Sequence, residues 1–188
     1  MACCMLLAET LVAQKNLFKK LLPDHAKLQY AGGIGFVSLG FGYHNRNQRL
    51  ECDFYYGYVP EQVGGVSIHS VTVKLNWMAL KTIQKKNLSI KPLVAGILAN
   101  YSFGKQYFSF NPRNYPYSYY GFPTSLHSAL LVGSQLGVSF PDAKRARGLA
   151  FYYELLFFDQ DIANFVGNTR SLQFTDILTL GLGIKITF

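Results

Sequence analysis

Few residues in this chain are of types that do chemistry. There are four histidines, His25, His44, His69 and His127. Two of them precede a serine, in His69-Ser70 and His127-Ser128. Acyl transfer needs a hydroxyl nucleophile within reach of an imidazole base. Adjacent residues of a strand point to opposite faces, so neither dipeptide supplies that pair. Ser67 and His69 do share a face, and so do Ser125 and His127. Glu154 and His127 make an inward pair on adjacent strands, and a buried acid beside an imidazole can do acid–base work. His127, Ser125 and Glu154 are therefore the catalytic candidates. The plainer reading of each is a polar residue near a strand end or in a structural hydrogen bond.

Spacing argues against other chemistry. Cys3, Cys4 and Cys52 are odd in number and form no disulfide framework. No Cys/His cluster has zinc spacing, so neither a metal nor a cofactor is expected. Gly32-Gly33-Ile34-Gly35 lacks the spacing and the following helix of a phosphate loop, and reads as a turn or a bend.

The elements that hold these residues are strands. From Leu178 every second residue is large and apolar: Leu178, Leu180, Leu182, Ile184, Ile186 and Phe188. Thr179, Gly181, Gly183, Lys185 and Thr187 alternate with them. Period two of this kind is a strand with one apolar and one polar face. Further strands read at about 25–32, 34–44, 49–59, 66–80, 88–103, 125–140 and 147–158. In the third, Leu50, Cys52, Phe54, Tyr56 and Tyr58 share the apolar face, and Glu51, Asp53, Tyr55 and Gly57 the other. In the fifth, Leu88, Ile90, Pro92 and Val94 face outward and Ser89 and Lys91 inward. Alternation then weakens, and Pro92 removes a ladder donor. Short turns fall near 45–48, 81–87 and 141–146, and longer loops at 104–124 and 159–174. The loop 104–124 is crowded with Tyr, Phe and Pro and is expected to fold over a rim.

Composition points the same way. Apolar residues make up 49% of the 188 residues and charged residues 15%, against about 25% charged in a soluble domain. No run of about 18 apolar residues offers a membrane-spanning helix. The net charge of +8 gathers at Lys19-Lys20, Lys81–Lys86 and Lys144–Arg147. No element collects these with base-contacting partners, so nucleic acid is not expected. Solvated turns or anionic lipid head groups suit them better. Residues 1–23 read as a truncated signal or a lead-in, with a short basic amphipathic helix over 14–23.

Hydrocarbon offers no partner for backbone amides, so a spanning sheet must close on itself. The expected fold is all-β: a closed antiparallel up-and-down transmembrane β-barrel of about eight strands over residues 24–188. A belt of outward Leu, Val and Phe about 25 Å tall should surround it. At that size the interior is just wide enough for side chains. Glu51, Asp53, Lys74, Lys91, Glu154 and Lys185 point inward and are expected to pair as a lumen charge network. A proton or ion relay is the functional alternative. Trp77 and Phe188 fall where an interfacial aromatic belongs.

The closing strand, with its terminal Phe188, resembles the last strand of bacterial outer-membrane barrels. Leu28-Gln29-Tyr30-Ala31-Gly32-Gly33-Ile34-Gly35-Phe36, Phe54-Tyr55-Tyr56-Gly57-Tyr58-Val59-Pro60 and Ile186-Thr187-Phe188 look like uncharacterised outer-membrane proteins of Gram-negative bacteria, of the Bacteroidota type. The similarity covers about residues 24–188. It implies a place in the bacterial outer membrane, with short turns in the periplasm and long loops outside. It also implies outer-membrane lipids and lipopolysaccharide as partners, and barrel-assembly machinery acting on the C-terminal strand. The implied role is structural or surface-interacting through the extracellular loops. One alternative is a lipid-modifying enzyme acting on lipid A, although no motif of the lipid A deacylases is present. A second is a soluble lipid-binding barrel of lipocalin type, with the two faces exchanged.

Overall fold

Alternating side chains leave each segment with two unlike faces, and the backbone then pairs edge to edge to satisfy its own donors and acceptors. The computed structural model describes residues 22–104, 107, 124–141, 145–167 and 173–188. Its strands are β1 (His25–Ala31), β2 (Val37–His44), β3 (Leu50–Val59), β4 (Ile68–Met78), β5 (Ile83–Lys85), β6 (Leu88–Phe103), β7 (Leu126–Ser139), β8 (Gly148–Phe158) and β9 (Thr179–Thr187). Helices α1 (Glu61–Gly64) and α2 (Asp159–Gly167) and a 3-10 turn at Phe174–Ile177 lie in connections. The sheet has nine strands, and β5 only hairpins onto β6, which leaves eight in the wall. β9 pairs with β1, and β4 pairs with β6, so the wall closes. This is the all-β, antiparallel, up-and-down barrel that the alternation predicts. The helix expected over 14–23 and the aromatic loop expected over 104–124 lie, apart from their edges, outside the described residues.

One mouth holds the 45–49 turn, residues 140–141 and 145–147, the β5 hairpin, and the backbone bond from Phe188 N–H to the Asp24 carbonyl (3.0 Å). We call it the short-turn mouth. The opposite, long-loop mouth holds, of the described residues, 32–36, 60–67, 104, 124–125, 159–167 and 173–178. The first half of the loop expected at 159–174 is α2, and the turn expected at 81–87 contains β5.

One assigned face is corrected. Alternation puts Val94 outward beside Leu88 and Ile90, yet the structure buries it in the lumen. Lys91 lies opposite Gln135 and Val94 opposite Gly133, so β6 advances three residues while β7 advances two. That is a β-bulge. Pro92 sits within it, where a missing ladder donor costs little. Beyond it the phase is reversed: Leu98 and Asn100 point in, while Ile97, Tyr101 and Phe103 point out.

The interior is packed by pairing large side chains with glycine. A Cβ at Gly42 would strike the Asp53 carboxylate and the His25 ring, one from each neighbouring strand. Gly40 makes the same room for the Tyr55 ring and Gly183 for that of Tyr152. At the long-loop mouth, Gly32 and Gly33 take left-handed φ values of 79° and 70°. They turn the chain so that Ile34 drops into the lumen, where it is 1% exposed. Its carbonyl accepts from Ser70 Oγ at 2.5 Å and Ser38 Oγ at 3.4 Å. Gly57 lies directly under that carbonyl, and a Cβ there would collide with it. Gly57→Ala should lift the Ile34 plug and cost roughly 1–3 kcal/mol, the usual range for overpacking. A lower urea midpoint of the folded barrel would show it, and an unchanged midpoint would contradict the plug's rigidity.

Candidate functional site

The densest chemistry lies inside the barrel, at its short-turn half. β1, β3, β4, β8 and β9 and the first residues of β6 alternate about the charged positions, which sends these charges inward. Glu51, Asp53, Lys74, Lys91, Glu154 and Lys185 are all buried. His25 and Lys27 join them.

Two linked clusters form. In the first, Lys27 Nζ donates to Asp53 Oδ2 (2.6 Å) and Glu51 Oε2 (3.2 Å). Lys91 and Lys185 both donate to Glu51 Oε1, at 2.8 and 2.5 Å. Asn76 Nδ2 donates to Asp53 Oδ2 (2.7 Å), and His25 Nε2 lies 2.6 Å from Asp53 Oδ1. In the second, Lys74 Nζ donates to Glu154 Oε2 (2.5 Å) and Gln29 Oε1 (2.7 Å). Tyr152 Oη donates to the same Gln29 oxygen at 3.3 Å and lies 3.1 Å from Tyr55 Oη. Lys74 also stands over the Tyr55 ring, 4.8 Å from its centroid, and Lys27 over that of Tyr152 at 5.4 Å. Such contacts add to the attraction of a desolvated cation.

This arrangement constrains what the lumen can do. The gap bounded in part by Lys27, Glu51, Asn76, Tyr152 and Glu154 measures only about 10 Å³, roughly one water. Beyond Tyr55, towards the long-loop mouth, Ile34, Leu98, Ala129, Leu131 and Leu156 pack together and Phe158 covers them. No described ionisable group continues the network through that apolar layer, so the described geometry offers no relay across the barrel. His25, Glu51 and Asp53 do place donor atoms within 4.8 Å of one another. Three ammonium groups already occupy those carboxylates, and their charge opposes an added cation.

The catalytic candidates are arranged differently. Glu154 is engaged by Lys74. His127 instead lies at the long-loop rim, with Nε2 3.1 Å from the Thr124 carbonyl and Nδ1 3.7 Å from Asp159. Ser125 is buried nearby. Asp159, at the start of α2, accepts from both the backbone N–H and the hydroxyl of Ser128 at 2.9 Å. Partial burial pushes its carboxyl up, but the Ser128 and Gln160 hydrogen bonds and His127 outweigh that and hold it below the usual value. The Ser128 hydroxyl is thus bound to the acid and not to the imidazole, which is not the order of a nucleophile and its base. Beside this cluster an apolar groove of about 430 Å³ runs on the outer wall, lined by Val73, Leu75, Ile97, Leu130, Phe157 and Ile162 among others. Trp77 and Phe188 both face outward at the short-turn end.

Sequence reasoning missed His25, Lys27 and Asp159. The signal for the first two was available in His25-Ala26-Lys27-Leu28-Gln29-Tyr30, where polar and apolar residues alternate. Asp159 is placed by a helix that no strand pattern foretells.

Fold and lumen together define a small closed antiparallel β-barrel with a side-chain-filled interior. Comparison with protein-family models, with curated proteins and with solved structures finds no match to this chain.

The Lys74–Glu154 pair makes a sharp energetic test. Lys74→Met or Glu154→Leu alone leaves an unpaired buried charge and should cost roughly 3–5 kcal/mol. The double variant should recover most of that loss, because neither charge remains. Denaturant unfolding of all three variants measures the coupling, and additive losses would show that the pair does not act as one unit.

Proposed function

We propose that this barrel spans a bilayer, of the bacterial outer-membrane kind, and acts structurally or in surface interactions through its long-loop mouth. One observation carries this reading: the outer wall is apolar all the way round. Leu28, Leu39, Phe54, Leu75, Ile97, Val132, Phe151 and Ile184 come from eight different strands, and each is at least 40% exposed. Among the described residues of the eight wall strands, no outward position carries Asp, Glu, Lys or Arg. A continuous apolar surface of that extent is unfavourable in water. Aromatic residues mark both edges of the belt, with Tyr30, Tyr58, Tyr101 and Phe103 at one end and Tyr43, Trp77, Phe140 and Phe188 at the other. Paired girdles of this kind suit the two interfaces of a bilayer. A lipocalin-type barrel would need a polar exterior and an apolar pocket, and the observed faces are the reverse. Outer-membrane lipids and lipopolysaccharide are the partners this surface suits, and assembly through β9 fits its place at the closing seam.

The test is a charge on the belt. Val132→Arg at mid-belt should cost roughly 2–4 kcal/mol in a bilayer, whereas an exposed residue in water tolerates such a change within about 0.5 kcal/mol. The wild-type protein should also be recovered in membranes and migrate faster on gels unboiled than boiled. A soluble protein with a neutral Val132→Arg would overturn the proposal.

The outer groove beside His127 favours a second reading, an enzyme that modifies membrane lipid. His127→Ala should then abolish a change in lipid A that the wild type produces. Identical lipid A from cells with either form would remove this reading.

A further inference from the structure

The short-turn mouth opens into a second cavity, of about 380 Å³, and its walls are polar. Lys91, Lys185, Arg147, His44, Gln84 and Gln135 contribute to them. At its floor lies Glu51, which is 3% exposed. Lys91 and Lys185 are 8% and 3% exposed, and both donate to the same oxygen of that carboxylate. An ammonium group has three donors. Among the described residues neither lysine has a second acceptor.

The charges do not balance. Lys74 is matched by Glu154. Among the described residues, the remaining buried cations are Lys27, Lys91 and Lys185, and the remaining buried anions are Glu51 and Asp53. One positive charge is left over, and the cavity adjoins it. Asp24 lines the same cavity as a part-exposed carboxylate that accepts the His44 backbone N–H at 2.9 Å, and its charge stands at the mouth and not among the buried lysines. Arg147 adds an exposed guanidinium at the entrance. An unmatched buried charge is costly, and an oxyanion that accepts from several cationic donors relieves it. Arginine and lysine together suit a tetrahedral phosphate. The rim around the cavity, with Arg46, Arg49, Lys81, Lys85 and Lys86, raises the local concentration of such anions.

We propose that this mouth is a phosphate-binding site, with Lys91 and Lys185 as its buried donors and Arg147 as its outer clamp. The phosphate is either free in solution or carried on a lipid head group. The site does not depend on the membrane reading, since the charge imbalance is internal to the barrel.

Inorganic phosphate is titrated into the folded protein in maltoside micelles, with chloride holding the ionic strength constant. About 10 mM phosphate should raise the melting temperature by several degrees. Lys185→Met should abolish the shift, and Arg147→Gln should weaken phosphate binding about tenfold. Arg147 is exposed, so its variant folds even where Lys185→Met does not. If phosphate is silent, the same proteins are compared in nanodiscs of phosphatidylcholine with and without phosphatidic acid. Stabilisation by phosphatidic acid that Arg147→Gln reduces assigns the site to lipid head groups. No stabilisation in either setting, or stabilisation indifferent to Arg147, overturns the proposal.

Discussion

Closure of the wall where β9 meets β1 is the constraint on which the rest depends. Once eight strands form a ring, the interior has a fixed and small width. Nothing inside can be enlarged without something opposite being reduced. This explains why β2 turns Ser38, Gly40 and Gly42 inward, with a larger side chain, His44, only at the mouth. Its neighbours β1 and β3 fill that space with His25, Lys27, Asp53 and Tyr55. Lys27 and Tyr55 have Gly40 beside them and Tyr152 has Gly183, which is how a narrow barrel admits these side chains.

The same confinement fixes the register. A buried charge must meet its opposite, so Glu51 and Asp53 can face only the lumen positions that Lys27, Lys91 and Lys185 reach. A slip of one residue in β3 would turn both carboxylates to the apolar wall and Leu50 and Phe54 into the cluster. Buried ion pairs are weak sources of net stability, because desolvation offsets most of their attraction. Their stronger effect here is to make wrong pairings expensive. The apolar layer around Ile34, Leu131 and Leu156 does the complementary work, closing the lumen where the charges end.

Period two made the wall legible from sequence. It located the barrel strands, their direction of facing and six of the lumen charges, because each depends on side-chain type and parity alone. It failed wherever geometry departs from parity. The reversal at Val94 depends on one uncompensated residue against β7, which leaves only Pro92 as a trace. The pairing of Ser128 with Asp159 crosses from a strand to a helix, and nothing local in either segment announces it. Ile34 was visible as part of a glycine turn, but not as a plug, since its burial is decided by Gly57 on another strand. His25 and Lys27 were legible in principle, and assigning faces to the first strand would have found them.

The bulge at Pro92 makes β6 a strand in two phases. Residues before it and residues after it are assigned to lumen or exterior by opposite parity. The boundary between them is a matter of counting, not of side-chain identity. Shortening the chain by one residue there would place the whole strand in a single phase. Either Lys91 would lose the lumen or Asn100 would lose its bond to Thr72. The length of this segment is therefore held more tightly than its composition, and β6 will accept exchanged residues more readily than added or missing ones.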